Sequence, residues 1–133
     1  MSVDGELVGA IGPGWCALVG VGTGDAAPAA DRLAERIWHL RAFADDRGNM
    51  NLSAAELGLE VLVVPQFTLY ADTSRGRRPS LAGAAAGDVA QALVDRVAQR
   101  LTEMGAPVAT GRFGAHMRVA LVNDGPVTLM LET

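Results

Sequence analysis

The sequence predicts a single α+β domain, with a mixed or antiparallel, barrel-like β-sheet and two main helices on one side. Three observations predict it. Short apolar segments of strand character precede, separate and follow two segments of helical periodicity. The 133 residues fit one core, and no linker or internal repeat divides them. Half of the residues (50%) are apolar, ample for a core and incompatible with a disordered chain.

The elements follow in chain order. Asp4-Gly5 is a hairpin-turn signal and Glu6 to Ile11 its outgoing strand. The incoming strand is only Met1 to Val3, so either the hairpin is very short or the natural start lies further upstream. Gly12-Pro13-Gly14 is the next turn, and Trp15 to Val21 reads as a buried strand. Pro28 to Phe43 predicts a helix: Pro28 suits its first turn, and Ala30, Leu33, Ala34, Ile37, Leu40 and Ala44 form one apolar stripe. "DDRGNMNLS" reads as a loop. Leu59 to Val64 is a continuous apolar strand of the kind found at the centre of a sheet. The stretch "ADTSRGRRPSLAGAAAG" is a long polar connection, a length often tied to function. Asp88 to Met104 predicts a second helix, capped by Asp88 and lined by Val89, Leu93, Val97, Leu101 and Met104. Pro107 to Thr110, Met117 to Val122 and Val127 to Leu131 predict three last strands.

Composition narrows the function classes. The net charge is −4, so no global basic field marks a nucleic-acid binder, although a local patch suffices for one. All eleven basic residues are arginine, which a coding bias toward Arg and Ala explains more simply than phosphate recognition. Cys16 is the only cysteine and reads as a small buried hydrophobe. With no intramolecular disulfide, no signal-like N-terminus and no apolar run of spanning length, the expectation is a cytoplasmic protein.

Most catalytic devices are absent from the sequence. No Cys/His cluster has metal-ligand spacing, and there is no G-x-S-x-G elbow. "GVGTGD" is only superficially like a dinucleotide loop, because no helix begins directly after it. His39 and His116 are lone histidines, more often structural or exposed than catalytic.

Two backbone-rich motifs remain. Pro65-Gln66-Phe67-Thr68 is either an ordinary strand end, with Phe67 in the core and Thr68 continuing the sheet, or a bend. At a bend, the amides of Gln66, Phe67 and Thr68 leave the ladder and hold an oxyanion. Asn123-Asp124-Gly125-Pro126 is either a plain turn between strands or a cis Gly-Pro whose rigid carbonyls gauge a substrate's α-substituent.

"PQFTLYAD" together with "NDGPVT" strongly resembles the D-aminoacyl-tRNA deacylase family, with its Ser-Gln-Phe-Thr-Leu and Asn-x-Gly-Pro-x-Thr signatures. "GNMNLS", "RGRRPS" and "TGRFGAHM" support the resemblance in collinear order from about Val3 to the C-terminus. The resemblance implies a homodimer in which Gly125-Pro126 of one subunit, as a cis pair, inserts beside Gln66, Phe67 and Thr68 of the other. It implies hydrolysis of the ester joining a D-amino acid to the tRNA 3′ end, with L-aminoacyl groups rejected sterically and glycyl-tRNA accepted. The catalytic residues are then Gln66, Phe67 and Thr68. The substrate-binding residues are Pro65, Asn123, Gly125, Pro126 and Thr128. No metal, cofactor, membrane or DNA is implied; the partner is the aminoacyl-tRNA 3′ end. Arg75, Arg77 and Arg78 read equally as a solvated loop or as phosphate contacts.

Two departures stand out. Pro65 replaces the family's usual Ser, and the family's first strand, with its Gln-Arg pair, has no counterpart before Met1. They leave two alternatives beside the chirally strict enzyme: a deacylase of relaxed chirality and a non-catalytic dimeric tRNA-end-binding protein. A small-molecule hydrolase pairing Thr68 with a histidine is a third.

Overall fold

The computed structural model describes residues 1–133. In chain order it contains strands β1 (Ser2–Val3), β2 (Glu6–Leu7) and β3 (Gly14–Val19), helix α1 (Ala27–His39), strands β4 (Phe43–Ala44) and β5 (Met50–Leu52), and helix α2 (Ala54–Leu57). Strand β6 (Glu60–Pro65), helix α3 (Gly87–Glu103) and strands β7 (Val108–Thr110) and β8 (Met117–Arg118) complete it. The expected α+β class holds, with two long helices. The strands fall into three ladders, β2-β1-β8 and β4-β5 antiparallel and β3-β6-β7 parallel.

β6 is the central strand of the parallel ladder, as its apolar run predicts. Val61, Leu62, Val63 and Val64 are all buried. Alternation sends them to two cores. Val61 and Val63 join the larger one with Ala30, Ala34, Ile37 and Trp38 of α1 and Ala90, Val94, Val97 and Leu101 of α3. Leu62 and Val64 face the other way, onto Met1, with half-buried Val8, Ile11, Cys16, Ala109 and Met117 around them. Both long helices therefore lie on one face. Bidentate Arg96–Asp31 (2.7 and 3.0 Å) and Arg100–Glu35 (3.0 Å) pairs tie the helices together at the surface. Such exposed pairs contribute little beside the core.

Several boundaries differ from the sequence expectation, each for a visible reason. α1 stops at His39 because Leu40 is extended (φ −62°, ψ 125°). Phe43 is drawn onto Trp15, ring centroids 4.6 Å apart, and joins β4 instead. The "DDRGNMNLS" loop is a hairpin plus a helical turn. Asp45 Oδ1 accepts from the amides of Arg47 (2.9 Å) and Asn49 (3.0 Å), closing the β4–β5 turn. Ser53 Oγ then accepts from Glu56 N at 3.1 Å and donates to the Glu56 carboxylate, a side-chain N-cap that starts α2. In α3 the buried stripe is Ala90, Val94, Val97 and Leu101, one residue round from the expected Val89 and Leu93, and Ala86 rather than Asp88 is the N-cap.

The C-terminal strands are the largest correction. Only Met117–Arg118 of the expected Met117 to Val122 pairs, and Val127 to Leu131 joins no ladder. The register is Ser2↔Arg118 and Val3↔Met117, so continuing it would set Val119 opposite Met1. Leu121, Val122, Leu129 and Met130 stay exposed, Val122 at 89%.

Two outcomes follow. Leu101 is fully enclosed, so Leu101→Ala will lower the unfolding free energy by about 2–5 kcal/mol in a urea titration. Acid stability should fall in a defined window. The Arg96 guanidinium holds Asp31 below the ordinary carboxylate value, the Asn49 and Arg47 amides do so for Asp45, and Ser74 does so for Asp72. A carboxylate lowered by folding stabilises the protein above its unfolded value, and loses that contribution as pH falls through the folded one. The urea midpoint should therefore hold from neutrality to about pH 5 and drop below about pH 4, and Asp45→Asn should make that drop shallower.

Candidate active site at the end of the central strand

The central strand delivers its last residues to the surface. The Gln66 amide makes a last bond to Val19 O at 2.8 Å, and the chain then leaves the ladder (Gln66 φ −144°, ψ 80°). Phe67–Tyr70 form a single 3-10 turn, with Leu69 N on Gln66 O (3.3 Å) and Ala71 N on Thr68 O (3.1 Å). The amides of Phe67 and Thr68 begin this turn and donate to no acceptor in the protein. Of the three amides expected at the bend, two are thus free and Gln66's is not. Phe67 is 58% exposed rather than in the core, and Thr68 does not continue the sheet. Gln66 Nε2 donates to Thr68 Oγ1, which orients that hydroxyl.

The preceding glycines explain why the turn can sit there. A Cβ on Gly20 would stand 3.0 Å from Gln66 O and 3.1 Å from Leu69 Cβ. One on Gly22 would meet the Tyr70 ring at 2.7 Å. The segment Gly20-Val21-Gly22 is thus a bed for the turn, not a nucleotide loop. Gly22 N donates to Asp25 Oδ2 at 2.8 Å, and Asp25 neighbours the Tyr70 phenol. Partial burial, then the charges of Asp25 and Glu132, hold that phenol above its ordinary value, so Tyr70 stays protonated at neutral pH. Sequence reasoning missed Gly20, Gly22, Asp25 and Tyr70. The available signal was two glycines at i and i+2 beyond a strand, which line one face.

Pro65 also borders a cleft of about 250 Å³ at the carboxyl ends of β6 and β7, lined by Thr110, Gly111, Arg112 and Phe113 and by Gln91 and Asp95 of α3. A more open groove of about 630 Å³ lies elsewhere, along α1 and the chain's end. Its charges are largely engaged: Glu35 with Arg100, Arg36 with Glu132 O, and Arg41 with Asn51.

The second motif forms a self-braced loop. Asn123 Oδ1 accepts from Val127 N at 3.0 Å, and Asn123 Nδ2 donates to Thr128 Oγ1 at 3.1 Å. Between them the Gly125-Pro126 bond is cis. Asn123, Gly125, Pro126 and Thr128 are all exposed. No hydrogen bond joins this loop to Gln66, Phe67 or Thr68 within the chain. His39 ends α1 and His116 precedes β8; both are exposed, and neither hydrogen-bonds Thr68. No three His, Cys, Asp or Glu side chains converge as a metal site. No helix is long and apolar enough to cross a membrane.

What the arrangement offers is an exposed hydroxyl, an amide side chain and two unpaired amides beside an apolar ring. Such a group of donors suits a tetrahedral oxyanion. Comparison with known proteins gives the family. The sequence model of a family described as D-Tyr-tRNA(Tyr) deacylase matches residues 1–132. The chain is 57% identical to a D-aminoacyl-tRNA deacylase of Nocardia farcinica, covering all of this chain and 92% of that protein. It is 55% identical to one of Roseiflexus sp., covering all of this chain and 86% of that one. A solved structure titled c-Myc DNA Unwinding Element Binding Protein superposes with a TM-score of 0.92 at 33% identity, covering 99% of this chain and 90% of that one. A second, titled as a probable eukaryotic D-amino acid tRNA deacylase, shares the fold with a TM-score of 0.60 at 20% identity, covering 76% of this chain and 74% of that one. The chain therefore belongs to the D-Tyr-tRNA(Tyr) deacylase family.

Proposed function

We propose that this chain hydrolyses the ester joining a D-amino acid to the 3′-terminal adenosine of tRNA. The observation that carries the reading is the pair of free amides at Phe67 and Thr68, at the surface end of β6. Water adds to the ester carbonyl, and the oxygen that becomes negative accepts from those amides. The carbon–oxygen bond to the ribose then breaks, and the 3′ oxygen takes a proton. The products are free tRNA and the D-amino acid. The site offers no strong base of its own, so the RNA's neighbouring 2′-hydroxyl serves as the proton carrier. Gln66 keeps the Thr68 hydroxyl in place. The reading sets the reaction in the cytosol, where tRNA is charged.

The assembly is a homodimer with Gly125-Pro126 of one subunit set beside Gln66–Thr68 of the other. Two observations support this. The two motifs make no hydrogen bond within one chain, and both lie among exposed apolar side chains: Phe67 on one side, Leu121, Val122, Leu129 and Met130 on the other. The Gly125-Pro126 carbonyls reject an L-substituent by contact. Glycyl-tRNA, lacking a substituent, passes. In this reading Pro65, in place of Ser, is the last residue of β6 before the bend.

Single-turnover assays with D-tyrosyl-tRNA and L-tyrosyl-tRNA test the proposal. The D-ester is expected to be lost quickly and the L-ester to remain. Loss of both would instead show relaxed chirality, and binding without loss of either would show a tRNA-end-binding protein. Thr68→Val keeps the amide and removes the hydroxyl, so its rate should fall less than about tenfold. A nucleophilic Thr68 predicts a loss on the order of a thousandfold or more. His39→Gln and His116→Gln should leave the rate within about twofold, against the histidine-assisted alternative. Asn123→Ala removes both braces of the Gly-Pro loop, and should raise L-ester cleavage more than it lowers D-ester cleavage.

A further inference from the structure

Arginines in this chain divide by what they touch. Arg96 pairs with Asp31, and Arg100 with Glu35 and Glu103. Arg36 donates to Glu132 O, and Arg41 to Asn51. Arg75, Arg77 and Arg78 take part in no ion pair or side-chain hydrogen bond, and all three are exposed. Asp72 is the one carboxylate between Phe67 and Gly87, and its Oδ1 is occupied by Ser74 N at 2.9 Å. The loop therefore carries three unpaired guanidinium groups within four residues, a net charge of +2 once Asp72 is counted.

The loop is also held. Asp72 N donates to Ser80 O at 2.7 Å and Ser80 N returns to Asp72 O at 2.8 Å, closing its base like a two-residue ladder. Gly76 (φ 62°) makes the reversal between the arginines. Upstream, the loop base follows the 3-10 turn directly. Downstream, Thr23 N on Gly83 O (3.0 Å) and Ala85 N on Val21 O (2.9 Å) bind the segment back to the glycine bed beneath Tyr70. The arginines thus stand on a pinned loop that leaves from the candidate active site and returns to it.

We propose that Arg75, Arg77 and Arg78 form a phosphate-contact patch that holds the single-stranded 3′ end of tRNA as it enters the site. The inference rests on the function proposed above, which brings a polyanion to the end of β6. The chain's overall charge of −4 opposes that approach, so the attraction must be local. Charges farther away than about 10 Å are largely screened at ordinary salt, so the cations that count are those on the loop that leaves from the candidate site. Guanidinium also binds phosphate in bidentate fashion.

The test is the salt dependence of binding of deacylated tRNA, which shares the 3′ end and needs no turnover. Each phosphate contact on a single strand adds about −0.7 to the slope of log affinity against log salt, so three add about −2. That corresponds to about a 16-fold loss of affinity between 50 and 200 mM salt from the patch alone. In the triple variant R75Q/R77Q/R78Q the slope should be flatter by about 2, whereas R75K/R77K/R78K should keep most of the slope because it keeps the charge. Turnover of a D-aminoacyl ester of plain adenosine, which has no phosphate, should be unchanged in both variants. An unchanged slope in the glutamine variant would overturn the proposal, as would an equal loss of turnover on the adenosine ester. Flattened binding in a protein that cleaves neither tRNA ester would uphold the patch and overturn the catalytic reading.

Discussion

β6 is buried on both faces, and that constraint places everything else. A strand that is apolar on one face can lie at a surface. One in which Val61, Leu62, Val63 and Val64 are all enclosed must have a layer above and a layer below. α1 and α3 supply the first layer. Met1 and the residues around the β1–β2 hairpin supply the second. The parallel pairing with β3 and β7 fixes the strand's direction, and hence which end meets solvent. The site is formed at that end.

The chemistry follows from how the strand ends rather than from reactive side chains. Pro65 is the last strand residue, and the ladder stops one amide later at Gln66. The next two amides have no partner because a 3-10 turn leaves its first N–H groups open. The turn is held from beneath by Gly20 and Gly22, where a methyl group would strike the turn's backbone or the Tyr70 ring. Rigid donors of this kind need not reorganise when charge develops, which is the reason preorganised backbone groups can serve an ester hydrolase.

Much of the fold was legible in the residues. Both long helices, the central strand and the turn at Asp4-Gly5 follow from periodicity and turn chemistry. The errors share one cause: each depended on a distant partner. Phe43 belongs to β4 because Trp15 is within reach, and in the first half of α3 Ala90 and Val94 are buried in place of Val89 and Leu93, while Val97 and Leu101 are buried as expected. Residues 127–131 have strand-like composition but join no ladder, and of them Leu131 packs against the main core. At the site, the bend at 65–68 and the Gly125-Pro126 turn were readable as motifs, each with an ordinary alternative. The role of Gly20, Gly22 and Tyr70 was not, since it exists only where the segment after β3 and the 3-10 turn touch.

The sequence by itself determined the elements whose signal is local: apolar period, capping and turn residues, and the two short motifs that carry the family likeness. The tertiary structure decided which face each helix buries, where the strands stop and which amides are left open. The physical reason is that pairing and burial join residues far apart in the chain. Val19 and Gln66 close the last rung of the ladder across 47 positions, counted from 19 to 66. No window of sequence contains both.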